Sequence, residues 1–241
     1  MRPAACFDFD SLGSGTLTVY STARRAWEIA GRGEYPPSFP QFMGHQAYTR
    51  TPGDFYVATT DDTAGVPDNG MESARMRHQR LQDEWTGAFG QARDELIRGD
   101  VGFVRSVMVY SGTKSMLEQL KEMATVCVIG EYDSKMLRYL LHCGGMKVDT
   151  VVGDDMGKGT EFQLGRLLNW GFDPSRTVYY GSSRKKLAVA KDLRFHVVEA
   201  THEDGPRWNS DKVRRASPND FPDMFAEMLG IRAGLSEAAY C

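Results

Sequence analysis

Two carboxylates flank a single residue near the start of the chain: Asp8 and Asp10, in the stretch ACFDFDSLGSGTL. The apolar run before them reads as a buried strand, and an unpaired carboxylate inside one is costly. A cation, a bound metal or an exposed place at the strand end must therefore balance the pair. The bland alternative is two turn or cap aspartates. The DxD is not a calcium loop, because Leu12 occupies the next ligand position. A second group of charges lies in GSSRKKLAVAK, where Arg184, Lys185 and Lys186 open a helical pattern. Cations at a helix N-terminus oppose its dipole, so a bound anion would relieve them there, while an exposed first turn would leave them to solvent. Gly157–Lys158–Gly159–Thr160 superficially suggests a nucleotide loop. Gly153 falls one residue short of the required spacing, however, and no Ser or Thr follows Lys158 directly. His45, His78, His142, His196 and His202 show no metal-binding spacing.

The elements that position these residues follow from periodicity. From Tyr110 onward, helix and strand patterns alternate. Ser115–Met123 reads as a helix with a capping box from Ser115 to Glu118. Strand Thr125–Ile129 and helix Ser134–Cys143 come next, followed by strand Val148–Val152 and helix Thr160–Trp170. Then come strand Thr177–Tyr180, helix Arg184–Leu193, strand Phe195–Val198 and a last helix that starts at Ser217–Pro218 and buries Phe221, Phe225 and Met228. Strands separated by helices imply βαβ units and an α/β, doubly wound, Rossmann-like parallel sheet. Ligands in such sheets bind beyond the carboxyl ends of the strands, where Asp8 and Asp10 belong.

Residues 18–106 depart from the alternation. Ser21–Gly31 and Glu72–Arg98 read as helices, the second with Leu81, Trp85, Phe89 and Leu96 along one side. Between them lies a Pro-, Gly- and aromatic-rich stretch without helical period. An irregular segment of about 35 residues is uncommon in a compact protein and tends to be functional. Residues 35–70 are therefore expected to be an ordered cover over the rim that carries Asp8.

Composition narrows the function classes. The 241 residues suit one large domain with an inserted smaller one, and charged and hydrophobic fractions of 25% and 41% are those of an ordinary globular protein. A formal net charge of -3 gives no basic footprint for nucleic acid. No apolar run approaches the ~18 residues a membrane span needs, and no signal-peptide core is apparent, so a cytoplasmic location is expected. Cys6, Cys127, Cys143 and Cys241 lack CxxC spacing and read as reduced thiols.

A strand ending in DxD, an insertion and four further β-α units resemble the haloacid dehalogenase-like superfamily over nearly the whole chain. The resemblance implies a core formed by residues 1–17 and 107–241, with 18–106 as an inserted, mainly helical cap. It makes Asp8 the nucleophile and Asp10 a general acid/base. A carboxylate can attack phosphorus while a neighbour protonates the leaving oxygen. The family's GT after the second aspartate is replaced by Ser11–Leu12, and Gly15–Thr16–Leu17 comes late. Lys158, in VDTVVGDDMGKGTEFQL, matches the family lysine that neutralises nucleophile and phosphate.

Two motifs depart from the pattern. Where the family has a phosphate-holding Ser or Thr, this chain has Gly130, followed by Glu131–Tyr132. Where the family has two acids for Mg²⁺, it has Ser182 and Lys186. Mg²⁺ requires hard oxygen ligands in octahedral geometry. Asp8, Asp10 and Asp155, or Asp154 in its place, are the carboxylates left to hold it, so Mg²⁺ binding is expected to be weak or lost, with Lys158 and Lys186 carrying the positive charge. Gly130, Ser182, Ser183, Arg184 and Lys186 are then the substrate-binding candidates. The expected activity is hydrolysis of a small phosphorylated metabolite through an aspartyl intermediate, with no nucleic-acid or membrane partner and no defined oligomeric state. Two alternatives stay open: a metal-independent, dehalogenase-like enzyme, and a non-catalytic binding or regulatory protein. The lost acids and hydroxyl favour the second; the intact Asp8, Asp10 and Lys158 oppose it.

Overall fold

The computed structural model describes residues 2–31, 36, 38–46, 52–60, 70–100, 107–201 and 213–231. The chain divides into two compact units, Met1–Ser14 with Val107–Cys241, and Gly15–Ser106.

The first unit is built on a six-stranded sheet in the order β5-β4-β1-β6-β7-β8. Its strands are β1 (Ala4–Asp8), β4 (Thr125–Ile129), β5 (Thr150–Val152), β6 (Thr177–Gly181), β7 (His196–Ala200) and β8 (Arg214–Ala216), with β2 (Gly13–Ser14) and β3 (Met108–Val109) forming a separate pair. Every neighbouring pair in the large sheet is parallel. Parallel strands are covered on both faces and read as unbroken apolar runs; β1 is buried at all five positions. Helices α6 (Thr113–Met123), α7 (Ser134–Cys143), α8 (Thr160–Asn169), α9 (Arg184–Asp192) and α10 (Phe221–Met228) accompany the strands.

The expected alternation is present, with corrections at its edges. Helix α6 begins at Gly112, whose φ of 77° makes it a left-handed cap, and no side chain caps the helix. The Ser115–Glu118 capping box therefore does not form: the chain enters the helix earlier, and a Cβ at Gly112 would collide with the Asn219 side chain. Strands β2, β3 and β8 were not anticipated, each being too short to carry a periodic signal. Cys6 and Cys127 are buried free thiols, and Cys143 is a half-buried one; Cys241 lies outside the described residues.

The second unit contains α1 (Thr16–Ile29), α2 (Phe39–Gln46), α3 (Pro52–Thr60), α4 (Gly70–Arg77) and α5 (Gln79–Arg98). The helix expected over Glu72–Arg98 is two helices that meet at His78. The stretch expected to be irregular holds α2 and α3, which is a correction. Its aromatics bury one another: the Trp27, Tyr56 and Trp85 rings lie 5.5–5.8 Å apart by pairs, and Phe55 packs 4.8 Å from Phe42. Arg25 joins α1 to α5 by pairing with Glu95 at 2.8 Å. Of the segment 35–70 expected to cover the rim, positions 35, 37, 47–51 and 61–69 lie outside the described residues. No described helix is long and apolar enough to cross a membrane.

Candidate active site

The order of the sheet fixes where a site can form. The chain runs from β1 outward through β4 to β5, then crosses back to lay β6 on the other side of β1. That reversal opens a crevice beyond the carboxyl ends of β1 and β6. Phe7 is in register with Tyr180, and Asp8 with Ile129 of β4, so three strands deliver their following loops to one edge. Ser11 ties this edge together. Its buried hydroxyl donates to the Asp8 carbonyl at 2.6 Å and reaches the Tyr180 carbonyl at 3.2 Å. Ser11 thus has a structural role at the position where the family pattern is interrupted.

Asp8 ends β1 with its side chain only 2% exposed. It is not left unpaired. The Lys186 ammonium, from the first turn of α9, donates to both carboxylate oxygens at 3.0 and 3.2 Å. The same nitrogen lies 3.8 Å from Asp10 Oδ2 and 3.1 Å from Glu131 Oε1. Asp10 follows in a short 3-10 turn, Phe9–Ser11, that lifts its side chain out of the core, leaving it 56% exposed. One buried carboxylate, one accessible carboxylate and a shared cation occupy the rim.

Charges within ~4 Å at an effective dielectric near 20 interact by about 4 kcal/mol each, so this network sets its own protonation. Burial pushes Asp8 up to about 6, opposed by Lys186 and reinforced by the negative charges of Asp10 and Glu131. Asp10 is raised by desolvation first, with Lys186 pulling it down and Glu131 pushing it up. Burial pulls Lys186 down, but Asp8, Glu131 and Asp10 outweigh it and hold the ammonium well above its usual range. Lys186 therefore stays charged, while Asp8 loses its proton only near pH 6. Any reaction that needs Asp8 as an anion should have a kcat/KM that falls tenfold per unit below pH ~6. A pH–rate profile checks this, and an acid limb near 4 would show that Asp8 is not the titrating group.

The other sequence candidates are placed differently. Lys158 is exposed, and among the described residues it makes no ion pair with Asp8 or Asp10; its charge acts on Asp154. The cation expected from Lys158 is supplied by Lys186. Asp155, expected as a metal ligand, accepts from the backbone N–H and the hydroxyl of Ser134 at 2.6 Å each, and so engages the first residue of α7, whose N-cap is Asp133. Ser182 and Ser183 are half-buried where β6 passes into α9, and Ser183 is the N-cap residue without a side-chain cap bond. Arg184 and Lys185 are exposed on the first turn of α9.

Gly130 closes β4. Its carbonyl accepts a 2.8 Å bond from the buried Gln163 amide, which also donates to Asp154 at 2.8 Å. A Cβ at Gly130 would lie 3.1 Å from both the Leu137 Cδ2 and the Phe9 Cβ, so the missing family hydroxyl is replaced by tight packing. Sequence reasoning did not find Glu131 or Gln163. The one available signal was that Glu131 directly follows a strand neighbouring β1.

Among the described residues, two of the three carboxylates expected to hold Mg²⁺ are engaged by other groups. Lys186 donates to both oxygens of Asp8, Asp155 accepts from Ser134, and no cluster suited to a metal ion exists among the described residues.

Comparison with known proteins places this geometry in a fold. No protein-family model matches the chain, and no curated protein matches it. Solved structures do. A predicted phosphoglycolate phosphatase from Haemophilus somnus 129PT is similar with a TM-score of 0.62 at 14% identity, over 92% of this chain and 97% of that one. A HAD-superfamily hydrolase of subfamily IA, variant 1, from Geobacter sulfurreducens PCA gives 0.58 at 16% identity, over 93% and 96%. A 2-haloacid dehalogenase from Pseudomonas syringae pv. Tomato DC3000 gives 0.55 at 17%, over 94% and 99%. The chain has the haloacid dehalogenase-like fold. At these identities the likeness concerns architecture, and both phosphatases and dehalogenases share it.

Proposed function

We propose that this chain is a metal-independent hydrolase that removes phosphate from a small phosphorylated metabolite through an aspartyl-phosphate on Asp8. The observation that carries the reading is the Lys186 ammonium, 3.0 and 3.2 Å from the two oxygens of Asp8 and 3.8 Å from Asp10. A cation there can balance the nucleophile and the phosphoryl oxygens, the role a divalent ion would otherwise have. Asp8 attacks phosphorus, forming its new P–O bond as the bond to the leaving oxygen breaks. Asp10, accessible and raised in pKa, gives its proton to that oxygen. A water then attacks phosphorus and passes its proton to Asp10, which breaks the Asp8–phosphate bond and frees inorganic phosphate. Lys186 stays charged throughout.

A dehalogenase-like reaction at carbon is the second reading. A fixed lysine beside Asp8, in a fold shared with a 2-haloacid dehalogenase, favours it. The presence of Asp10 weighs against it, since such enzymes usually lack the second aspartate. An aryl phosphate and a 2-chloroalkanoate, assayed side by side in excess chelator, separate the two. The expected result is phosphate release unchanged by chelator, with Mg²⁺ binding by titration calorimetry in the millimolar range or weaker. Converting Ser182→Asp together with Lys186→Asp should make turnover dependent on Mg²⁺. Micromolar Mg²⁺ binding by the unaltered protein, with activity lost on chelation, would overturn the metal-free reading. Turnover of neither substrate would favour a non-catalytic role.

A further inference from the structure

An ammonium has three N–H donors and no acceptor. Asp8 takes two of those on Lys186, and Glu131 Oε1 lies 3.1 Å from the same nitrogen. An incoming anion that is to take a close place on this cation must therefore compete with the carboxylates already there, Asp10 Oδ2 standing farther off at 3.8 Å.

Their surroundings decide which one leaves. The Asp8 side chain is 2% exposed, and parting it from its cation would strand a buried charge. Glu131 is 70% exposed, so its carboxylate returns to water at little cost, as exposed ion pairs generally do. Its backbone does not have to move with it. The preceding residue, Gly130, is pinned by the Gln163 amide and packed against Leu137 and Phe9. Glu131 therefore has a fixed root and a free head.

We infer that Glu131 is a displaceable stand-in for the substrate's anionic group, its carboxylate holding the outer face of Lys186 until a phosphoryl group takes that place. The inference rests on the function proposed above and adds to it a residue that sets affinity. While Glu131 is in place, Asp8, Asp10 and Glu131 set three carboxylates against one lysine, which repels a dianion. Once a phosphoryl group binds, the displaced carboxylate turns outward to solvent. The site thus discriminates by charge: a neutral ligand cannot compete for Lys186, and an anion competes against a built-in rival.

Inorganic phosphate is the probe, measured by titration calorimetry on the unaltered protein and on Glu131→Gln, with aryl phosphate hydrolysis run alongside. Removing the rival should tighten phosphate binding a few-fold, up to about fivefold, and lower KM for the aryl phosphate by a similar factor, with kcat changed less. Glu131→Asp, whose shorter side chain keeps the charge but reaches less far, should fall between the two. If Glu131→Gln binds phosphate no more tightly than the unaltered protein while that protein hydrolyses aryl phosphate, the stand-in role is wrong and the hydrolase reading survives. If Glu131→Gln binds more weakly, Glu131 assists binding rather than competing, and the inference is overturned. If neither protein binds phosphate or turns over the aryl phosphate, the inference falls together with the function it rests on.

Discussion

Lys186→Met is expected to lower the unfolding free energy by roughly 3–5 kcal/mol at pH 8, the usual loss when one partner of a buried pair is removed. The loss should be much smaller at pH 5. Asp8 is already raised to about 6, and Lys186 is what opposes a further rise. Without the lysine, the carboxyl holds its proton to higher pH, and below that point it is neutral and needs no partner. The sign follows from proton counting: where the folded variant binds more protons than its unfolded chain, its stability falls as pH rises. Urea unfolding of the variant and the unaltered protein at both pH values measures the difference. Adding Asp8→Asn to Lys186→Met removes both charges and should recover most of the loss at pH 8. An equal deficit at pH 5 and pH 8 would mean that the lysine's contribution is packing along its stem, not charge.

Asp8→Asn should reduce phosphate release by at least roughly 10⁴-fold, a magnitude typical of removing a covalent nucleophile. The amide keeps the shape of the carboxylate and can still accept a hydrogen bond from Lys186, so the fold should be retained, as judged by near-UV circular dichroism. A chelator-treated sample should show the same deficit, because the residue lost is the nucleophile in either case. Turnover close to that of the unaltered protein would remove Asp8 from the mechanism. The competing possibility, that Asp10 is the attacking group, predicts the larger loss for Asp10→Asn.

Much of the first unit was legible because its physics is periodic. Buried parallel strands such as Thr125–Ile129 are short apolar runs, and the helices between them are amphipathic. In α3 the pattern fails for a specific reason: Phe55, Tyr56, Val57 and Ala58 are all buried, so four consecutive residues face protein and no polar side marks the helix. The glycine that starts α6 was invisible for another reason, since its left-handed backbone answers to Asn219, more than a hundred residues later. The site shows the same division. Asp8 and Asp10 could be singled out from local pattern, because two acids after an apolar strand are costly wherever they lie. Their cation could not be chosen locally. Lys158 fits a family pattern, but Lys186, 178 residues from Asp8, has the reach. Only the adjacency of β1 and β6 decides between them.

Gly130 bears on how this site could change. A hydroxyl could return there only if a Cβ found room, and two neighbours hold that space. The end of the Leu137 side chain can swing aside. The Phe9 Cβ cannot, because it belongs to the turn that separates Asp8 from Asp10. Relieving the crowding would shift both aspartates relative to Lys186. Introducing a serine there is therefore not a single step: the glycine and the carboxylate spacing must be altered together, and each change alone disturbs the other. A sequence that arrived at Gly130 with Lys186 already in place is held there by packing, independently of whatever its chemistry selects.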